Sequence, residues 1–395
     1  RGIYKEKLLS FRKKGDTLDF AVIGATGFQG RIVSRDLLEK GYRVLLCGRS
    51  KDRVAHLLKK HRKATFSFIE LRDKKDTLKV IKASKAPIIV NCAEGDWNLD
   101  VQKICLELSK HYLDLGSDPA MTAKQFALHA AFEKKNLCAL TGCGSVPGIG
   151  NVMLRHAVEH MDTVREADAG FAWTANKPIF VPPFSIITVI EEFTDRPTIY
   201  DHGKMKKLKA LAGSQKKRFW YIGEQNEFLA RHPEPYTFSQ YLKGKGIKKS
   251  RFYSGFPPFS YNKIQDFIDN GSASKALVKK GVRKIDLLAE AMKNTKLPKG
   301  YLERENLWIT IWGTRNGKKH TIKMNCLVPT LPGWEEHGCN IDTGLPCSIM
   351  AQMLHRGIIT NVGARSPEYF VPVAPFFKEL AKRKMRVFEN GRRLN

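Results

Sequence analysis

The chain divides by the rhythm of its apolar positions. Phe20–Ile23, Tyr42–Cys47, Thr65–Leu71, Pro87–Cys92, Tyr112–Leu115 and Leu137–Thr141 are apolar runs of strand length. Between them, Arg31–Gly41, Asp52–Arg62, Asp76–Ser84, Val101–Lys110 and Ala120–Lys135 carry apolar residues at helical spacing. Near-continuous apolar strands alternating with amphipathic helices predict a doubly wound parallel sheet, a Rossmann-type α/β domain over residues 17–150.

After Asn151 the alternation stops. A helix to His160 leads into the strand-like Glu166–Thr174, and Ser185–Phe193 is apolar along one side. Short strands are expected at Ile199–Lys207 and Arg218–Tyr221. Tyr301–Gly313 and His320–Val328 flank Arg315-Asn316-Gly317, a hairpin signature because Asn-Gly accepts the left-handed backbone of a tight turn. These elements predict a second, α+β domain over residues 151–340, with Pro233–Lys299 read as helical and basic. Residues 341–395 read as C-terminal helices returning to the first domain, and residues 1–16 as a tail outside the fold.

The first strand runs straight into Gly24-Ala25-Thr26-Gly27-Phe28-Gln29-Gly30 and then into a helix. A strand, a glycine-rich turn and a helix N-terminus build an anion site. Glycines let the backbone approach closely, and the first-turn N–H groups face a pyrophosphate. With a second strand following on schedule, the turn predicts dinucleotide binding through all seven residues. The second strand ends in Gly48-Arg49-Ser50-Lys51, with no acid from Val44 to Lys51. An acid is what would hold a ribose 2′-OH, whereas two cations and a hydroxyl suit a 2′-phosphate. NADP is therefore the expected cofactor. The loop after the fourth strand, with Cys92, Ala93 and Gly95, should line the nicotinamide side, since ligands of open α/β sheets sit at the carboxyl ends of strands.

Composition narrows the setting. The hydrophobic content of 42% and charged content of 27% are ordinary for a globular protein. No apolar run approaches the ~20 residues of a bilayer helix, so no membrane insertion is expected. Eight cysteines without a CxxC pair do not suggest a disulfide framework, and a reducing cytoplasm fits them. His337, Cys339 and Cys347 are irregularly spaced in loop-like sequence, and no metal site is predicted. The net charge of +29 raises the question of nucleic acid, but the basic residues are dispersed and form no reading module. A generally basic surface would instead favour the approach of anionic substrates and cofactors.

Longer segments carry a resemblance. VIGATGFQG, YLDLGSDPAM followed by GCGSVPGIGN, PFSIITVIEEFTDRPTIYDHGKM, and the tail TGLPCSIMAQMLHRGIIT…GARSPEYFVPVAPFFKELAKR occur in an order that resembles the saccharopine dehydrogenase family, in particular its NADP-dependent, glutamate-forming branch. The likeness spans most of the chain apart from Gln225–Leu297. It implies a Rossmann domain, a second mixed-sheet domain that supports a homodimer, and reduction of an imine to a secondary amine such as saccharopine or carboxynorspermidine. The chain departs from the fungal pattern at Gly170-Phe171-Ala172-Trp173, where that pattern has a cysteine, and at Glu94-Gly95-Asp96-Trp97, where it has a tyrosine-bearing loop.

Imine reduction asks the protein to hold the C=N carbon against the nicotinamide and keep the nitrogen protonated. Asp96 and Asp118, at strand ends, are the candidates for stabilising an iminium or relaying its proton. Asp118 also precedes Pro119 and a helix, the setting of an N-cap. Trp97, Gly144 and Trp173 are candidate pocket walls, with a core role open for both tryptophans. Arg196 is the candidate partner for a substrate carboxylate, or else a surface residue pairing with Asp195. The Glu191-Glu192 pair is adjacent on a helix and is not read as an acid/base site. Two other readings stay open: reduction of an enoyl-type double bond in a large apolar cavity, and an NADP-binding sensor without turnover.

Overall fold

The computed structural model describes residues 17–182, 185–279, 281–293 and 297–395; the tail expected at residues 1–16 lies outside them. The chain forms two units, one running to Val152 and taking in Asp342–Glu379, the other made of Met153–Ile341 and Leu380–Asn395. No helix among the described residues is long and apolar enough to cross a membrane.

In the first unit the predicted runs become β1 (Phe20–Ile23), β2 (Val44–Gly48), β3 (Ala64–Phe68), β4 (Ile88–Asn91), β5 (His111–Asp114) and β6 (Cys138–Leu140). A further strand, Gly363–Arg365, pairs with β6, and the parallel order is 363–365, β6, β5, β4, β1, β2, β3. Every residue of β1, β2 and β4 is buried, which is why they read as unbroken apolar runs. The strand order reverses between β1 and β4, the place where doubly wound sheets open a crevice. The helix Phe28–Glu39 buries an acid, Asp36, whose Oδ2 accepts from Ser348 Oγ at 2.7 Å and Gln352 Nε2 at 2.9 Å. Ser348 and Gln352 lie one turn apart on the helix Ile341–His355, so this returning segment is fastened to the nucleotide-type helix by charge-assisted bonds.

The second unit is built on a mixed sheet of ten strands among the described residues. Its spine is the predicted hairpin: Glu303–Arg315 pairs with Lys318–Pro329, and Asn316 and Gly317 carry the left-handed turn with φ of 51° and 70°. Thr163–Ala175 pairs antiparallel with Glu303–Arg315, and Lys249–Phe256 lies parallel beside Thr163–Ala175. One face is apolar, with Phe228, Phe256 and Trp173 meeting Phe193, Phe259 and Tyr261 from the helices Ile186–Thr194 and Pro258–Asp269.

Two readings are corrected here. The middle segment read as helical contains Lys249–Phe256, an internal strand of the sheet, whose polar residues obscure its pattern. The C-terminal stretch does not end as helices of the first unit. Leu380–Asn395 belongs to the second unit, where Arg386–Glu389 pairs with Lys318–Pro329 and then with Arg392–Arg393. Backbone pairing with a long neighbouring strand decides that edge, and a four-residue strand leaves little sequence pattern.

Glu192 is buried in the helix Ile186–Thr194. Burial pushes its carboxyl up to about 7, against the pull of nearby Ser254 and His232. The native state therefore holds a proton that the unfolded chain has released above its ordinary value near 4.5. Stability should fall as pH rises from about 4.5 to 7 and stay lowered above that, by on the order of 1–3 kcal/mol. Glu192→Gln should flatten this part of the profile and melt higher than the wild type at pH 8, as followed by thermal denaturation across that range. Parallel profiles for the two proteins would refute the assignment.

Candidate functional site

The glycine turn has the geometry of a phosphate cradle. Gly24 takes φ of +73°, and a Cβ there would stand 2.7 Å from the Ala93 nitrogen and 2.8 Å from the Cys92 carbonyl carbon. The turn leaving β1 is thus pressed onto the chain leaving β4, at the reversal of strand order. A Cβ on Gly30 would come within 2.1 Å of the Gly24 oxygen, so only glycine lets the helix Phe28–Glu39 begin this close to the strand. Gly27 is that helix's N-cap and no side chain caps it, leaving the first-turn N–H groups to a ligand. Ala25 N donates to Cys47 O at 2.9 Å, which ties the turn to the end of β2. Ala25 and Thr26 are buried, Phe28 is exposed, and Gln29 is half-buried.

At the end of β2, Arg49 and Lys51 are exposed and Ser50 is half-buried. Among the described residues neither cation has an ion-pair partner. Ser50 precedes the short 3-10 turn Lys51–Val54 without capping it through its side chain. Two cations and a hydroxyl beside the glycine turn fit a 2′-phosphate, and the backbone cradle fits a dinucleotide pyrophosphate.

The strand ends on the other side are held by one carboxylate that the sequence reading missed. Asp114 is fully buried at the end of β5. Its Oδ1 accepts from Gly116 N at 2.9 Å and Gly142 N at 2.8 Å, and its Oδ2 from Gln125 Nε2 at 2.6 Å and Tyr112 Oη at 2.8 Å. Burial raises its carboxyl from the ordinary value, and the Gln125, Gly142, Gly116 and Tyr112 donors oppose that rise. Tyr112 Oη also reaches Asn98 O at 3.0 Å, Asn98 Oδ1 accepts from Asn91 Nδ2 at 2.9 Å, and Asn91 Oδ1 accepts from Ala93 N at 3.2 Å. This chain of bonds fixes the loop that begins at Cys92. The only sequence signal for Asp114 was an acid inside an apolar run, which a buried position tolerates only when its oxygens are satisfied.

The loop itself carries Gly95 and Asp96, both exposed, on the 3-10 turn Gly95–Trp97. Trp97 is half-buried and packs against the core of the first unit. Asp118 caps the helix Pro119–Phe126, its Oδ1 accepting from Met121 N at 2.7 Å. Gly144 is buried, its carbonyl accepting from Ile149 N at 3.0 Å. Trp173 lies in the core of the second unit, one of the two roles left open for it. It is 1% exposed, with its ring edge-on to Phe256 and Phe259 at 6.5 and 6.0 Å. Arg196, also in the second unit, is exposed and donates from Nε to Leu208 O at 3.2 Å, while Asp195 pairs with Arg231 instead. All eight cysteines are free, and burial pushes the Cys47 and Cys138 thiols up to about 12, far from a reactive thiolate. Of the sulfur and imidazole groups set aside as a metal cluster, Cys339 donates from both N and Sγ to Glu303 Oε2.

A parallel sheet with a glycine-cradled crevice defines a dinucleotide-binding type of fold, and comparison with known proteins gives the class. Residues 20–140 match the saccharopine dehydrogenase NADP binding domain, and residues 144–385 the saccharopine dehydrogenase C-terminal domain. The chain belongs to the saccharopine dehydrogenase family and is a saccharopine dehydrogenase-like oxidoreductase. It is 24% identical over 322 residues to carboxyaminopropylagmatine dehydrogenase of Synechocystis, an alignment covering 78% of this chain and 80% of that one. In structure it is similar to the apo form of saccharopine dehydrogenase (L-Glu forming) from Saccharomyces cerevisiae. The TM-score is 0.73 at 12% identity, covering 96% of this chain and 100% of the yeast chain.

The Asp114 carboxylate can be tested directly. Asp114→Ala leaves the Gly116, Gly142 and Gln125 donors facing a cavity, and should cost at least ~3 kcal/mol of unfolding free energy. Denaturant titration should show a clearly lowered midpoint; a loss below ~1 kcal/mol would mean that water or neighbours replace the carboxylate without penalty.

Proposed function

We propose that this protein uses NADPH to reduce an imine, formed from an amine and a carboxylate-bearing carbonyl compound, to a secondary amine. The observation that carries the cofactor half is the acid-free, cationic end of β2, where Arg49 and Lys51 stand exposed beside the glycine turn. The reaction half rests on membership of the family and on the cyanobacterial relative, whose name describes an amine bearing a carboxylate. NADPH when bound supplies the hydride to the imine carbon. The chain's own groups do the rest. Backbone N–H groups from Phe28 onward would hold the pyrophosphate, and Arg49, Ser50 and Lys51 the 2′-phosphate. Ala93 and Gly95 would border the nicotinamide. Asp96, exposed on the turn that follows the β4 end, would keep the imine nitrogen protonated, so that hydride meets an iminium carbon and the proton remains on the product amine. Asp118 spends one oxygen on its helix cap and is the weaker candidate.

Joint replacement of Arg49 and Lys51 by alanine should weaken NADPH binding by roughly 1.5–3 kcal/mol per lost contact and leave NADH binding nearly unchanged. Calorimetry with both cofactors checks this, and an equal loss for the two would exclude 2′-phosphate recognition at this loop.

The reaction class is tested by screening amino acids and diamines against carboxylate-bearing aldehydes while following NADPH oxidation. Turnover is expected within that panel, and Asp96→Asn should slow it about 10²-fold with NADPH binding kept. Silence across the panel with turnover of an enoyl thioester would replace the imine reading by a lipid-type one. Full activity in the Asp96→Asn enzyme would remove Asp96 from the proton path.

A further inference from the structure

Outside the cofactor turn, one cluster of side chains in the second unit has ligand chemistry that nothing above uses. His156 lies on the helix Ile149–Glu159, and His160 follows four residues on, just past its end. Glu389 ends the strand Arg386–Glu389 at the far end of the sequence. His156 Nε2 meets Glu389 Oε2 at 2.8 Å, and the two imidazole rings are 4.8 Å apart between centroids. One ligand atom from each of the three residues can be chosen so that all lie within 4.8 Å of one another.

We propose that His156, His160 and Glu389 form a binding site for a divalent transition-metal ion of the zinc class. Three features support this. The His-x-x-x-His spacing brings two imidazoles together where the helix ends, a spacing also used for zinc. The second feature is the His160 tautomer. Its Nδ1 sits 2.8 Å from the His156 carbonyl oxygen, which can only accept, so Nδ1 carries the proton and the Nε2 lone pair is left for a metal. Third, the carboxylate needed to complete the set already faces His156 Nε2 across a shared proton. A metal would take the proton's place on Nε2; from the neutral ring that proton moves to Nδ1, and from the imidazolium it leaves to solvent, with no change in oxidation state.

The fit needs only small movement. Zinc–ligand bonds of about 2.0–2.2 Å put neighbouring tetrahedral ligand atoms roughly 3.3 Å apart. The His156–Glu389 pair must open slightly, and the exposed His160 ring must swing in. Two imidazoles and one carboxylate favour Zn²⁺, Ni²⁺ or Cu²⁺ over the all-oxygen preferences of Mg²⁺ and Ca²⁺. Solvent completes the coordination. The consequence is a staple between the helix that begins the second unit and the strand that ends the chain, elements whose ligand residues are 233 positions apart.

The experiment uses the full chain without an affinity tag, stripped with a chelator and dialysed. Zn²⁺ is titrated against a chromophoric chelator, and Co²⁺ serves as a spectroscopic probe. One equivalent of tightly held Zn²⁺ is expected, together with visible Co²⁺ bands of low-symmetry coordination and a metal-dependent rise in melting temperature. His160→Ala, at an exposed position, should weaken binding at least roughly 100-fold, with an unchanged melting temperature in the absence of metal. Glu389→Gln should weaken binding as well. His202→Ala, at an unrelated exposed histidine, should bind as the wild type does. Absence of a one-equivalent site, retention of wild-type affinity in His160→Ala, or equal losses in His160→Ala and His202→Ala would each overturn the proposal.

Discussion

The first unit hangs on the buried Asp114 carboxylate. A carboxylate taken out of water loses several kcal/mol of solvation, and it remains in the fold because donors occupy both its oxygens. Those donors are not interchangeable. Two are backbone N–H groups, from Gly116 and Gly142, on the turns that leave β5 and β6. The other two, Tyr112 and Gln125, come from β5 itself and from the helix that Asp118 caps. Through Tyr112 and Asn98 the network continues to Asn91 and the loop after β4. Three adjacent strand ends therefore share one electrostatic anchor on one edge of the crevice. The opposite edge is anchored differently, by backbone contact at Gly24 and Gly30 that no side chain could replace.

That difference explains what was legible. The glycine turn was visible because its constraint is steric and local: a β1 run, glycines at fixed offsets and a helix follow one another within about twenty residues. The parallel strands were visible because burial on both faces writes an unbroken apolar run. The Asn316-Gly317 hairpin was visible because few residue pairs accept its backbone. Asp114 was hidden because its partners come from four separate positions, and nothing local distinguishes a buried anchoring acid from a strand-end one. Lys249–Phe256 was hidden for a related reason. Its residues face an apolar side, with Phe252 and Phe256, and a side where Arg251 reaches Asp168 and Glu166, so charge dilutes the strand pattern. The His156–Glu389 contact joins residues from distant parts of the chain, beyond any spacing argument.

The second unit uses acids in an unusual way for so basic a chain. Asp168, Glu192 and Glu303 are all buried and all have carboxyls raised by that burial, Asp168 to about 6 and Glu192 to about 7. Asp168 keeps Arg251 beside it at 2.8 Å, whereas Glu303 answers the backbone and thiol of Cys339. Glu227, also buried, accepts from Lys217 at 2.7 Å, and the same ammonium lies 4.1 Å from the centroid of the Trp308 ring. The sheet face away from the helices is thus polar and aromatic, with cations held over rings and against acids rather than left to solvent. Such a face is ordered by charge pairing as much as by apolar packing, and because its acids are buried, salt screens those pairs only weakly.

Cofactor and substrate recognition draw on different physics, and this decides how far each can be read. The cofactor cradle is made largely of backbone: a positive-φ glycine, a helix N-terminus without a side-chain cap, and a turn tied to β2 through Ala25 and Cys47. Backbone sites follow from the fold, so belonging to the family carries them over with the sheet. The proposed discrimination between cofactors adds only one further feature, the sign of charge at the end of β2, which is local to Arg49-Ser50-Lys51. Substrate choice has no such support. Exposed side chains such as Asp96, on a short 3-10 turn, take no part in the sheet, the Asp114 network or the glycine turn. A family can therefore keep its cofactor geometry while its substrates diverge.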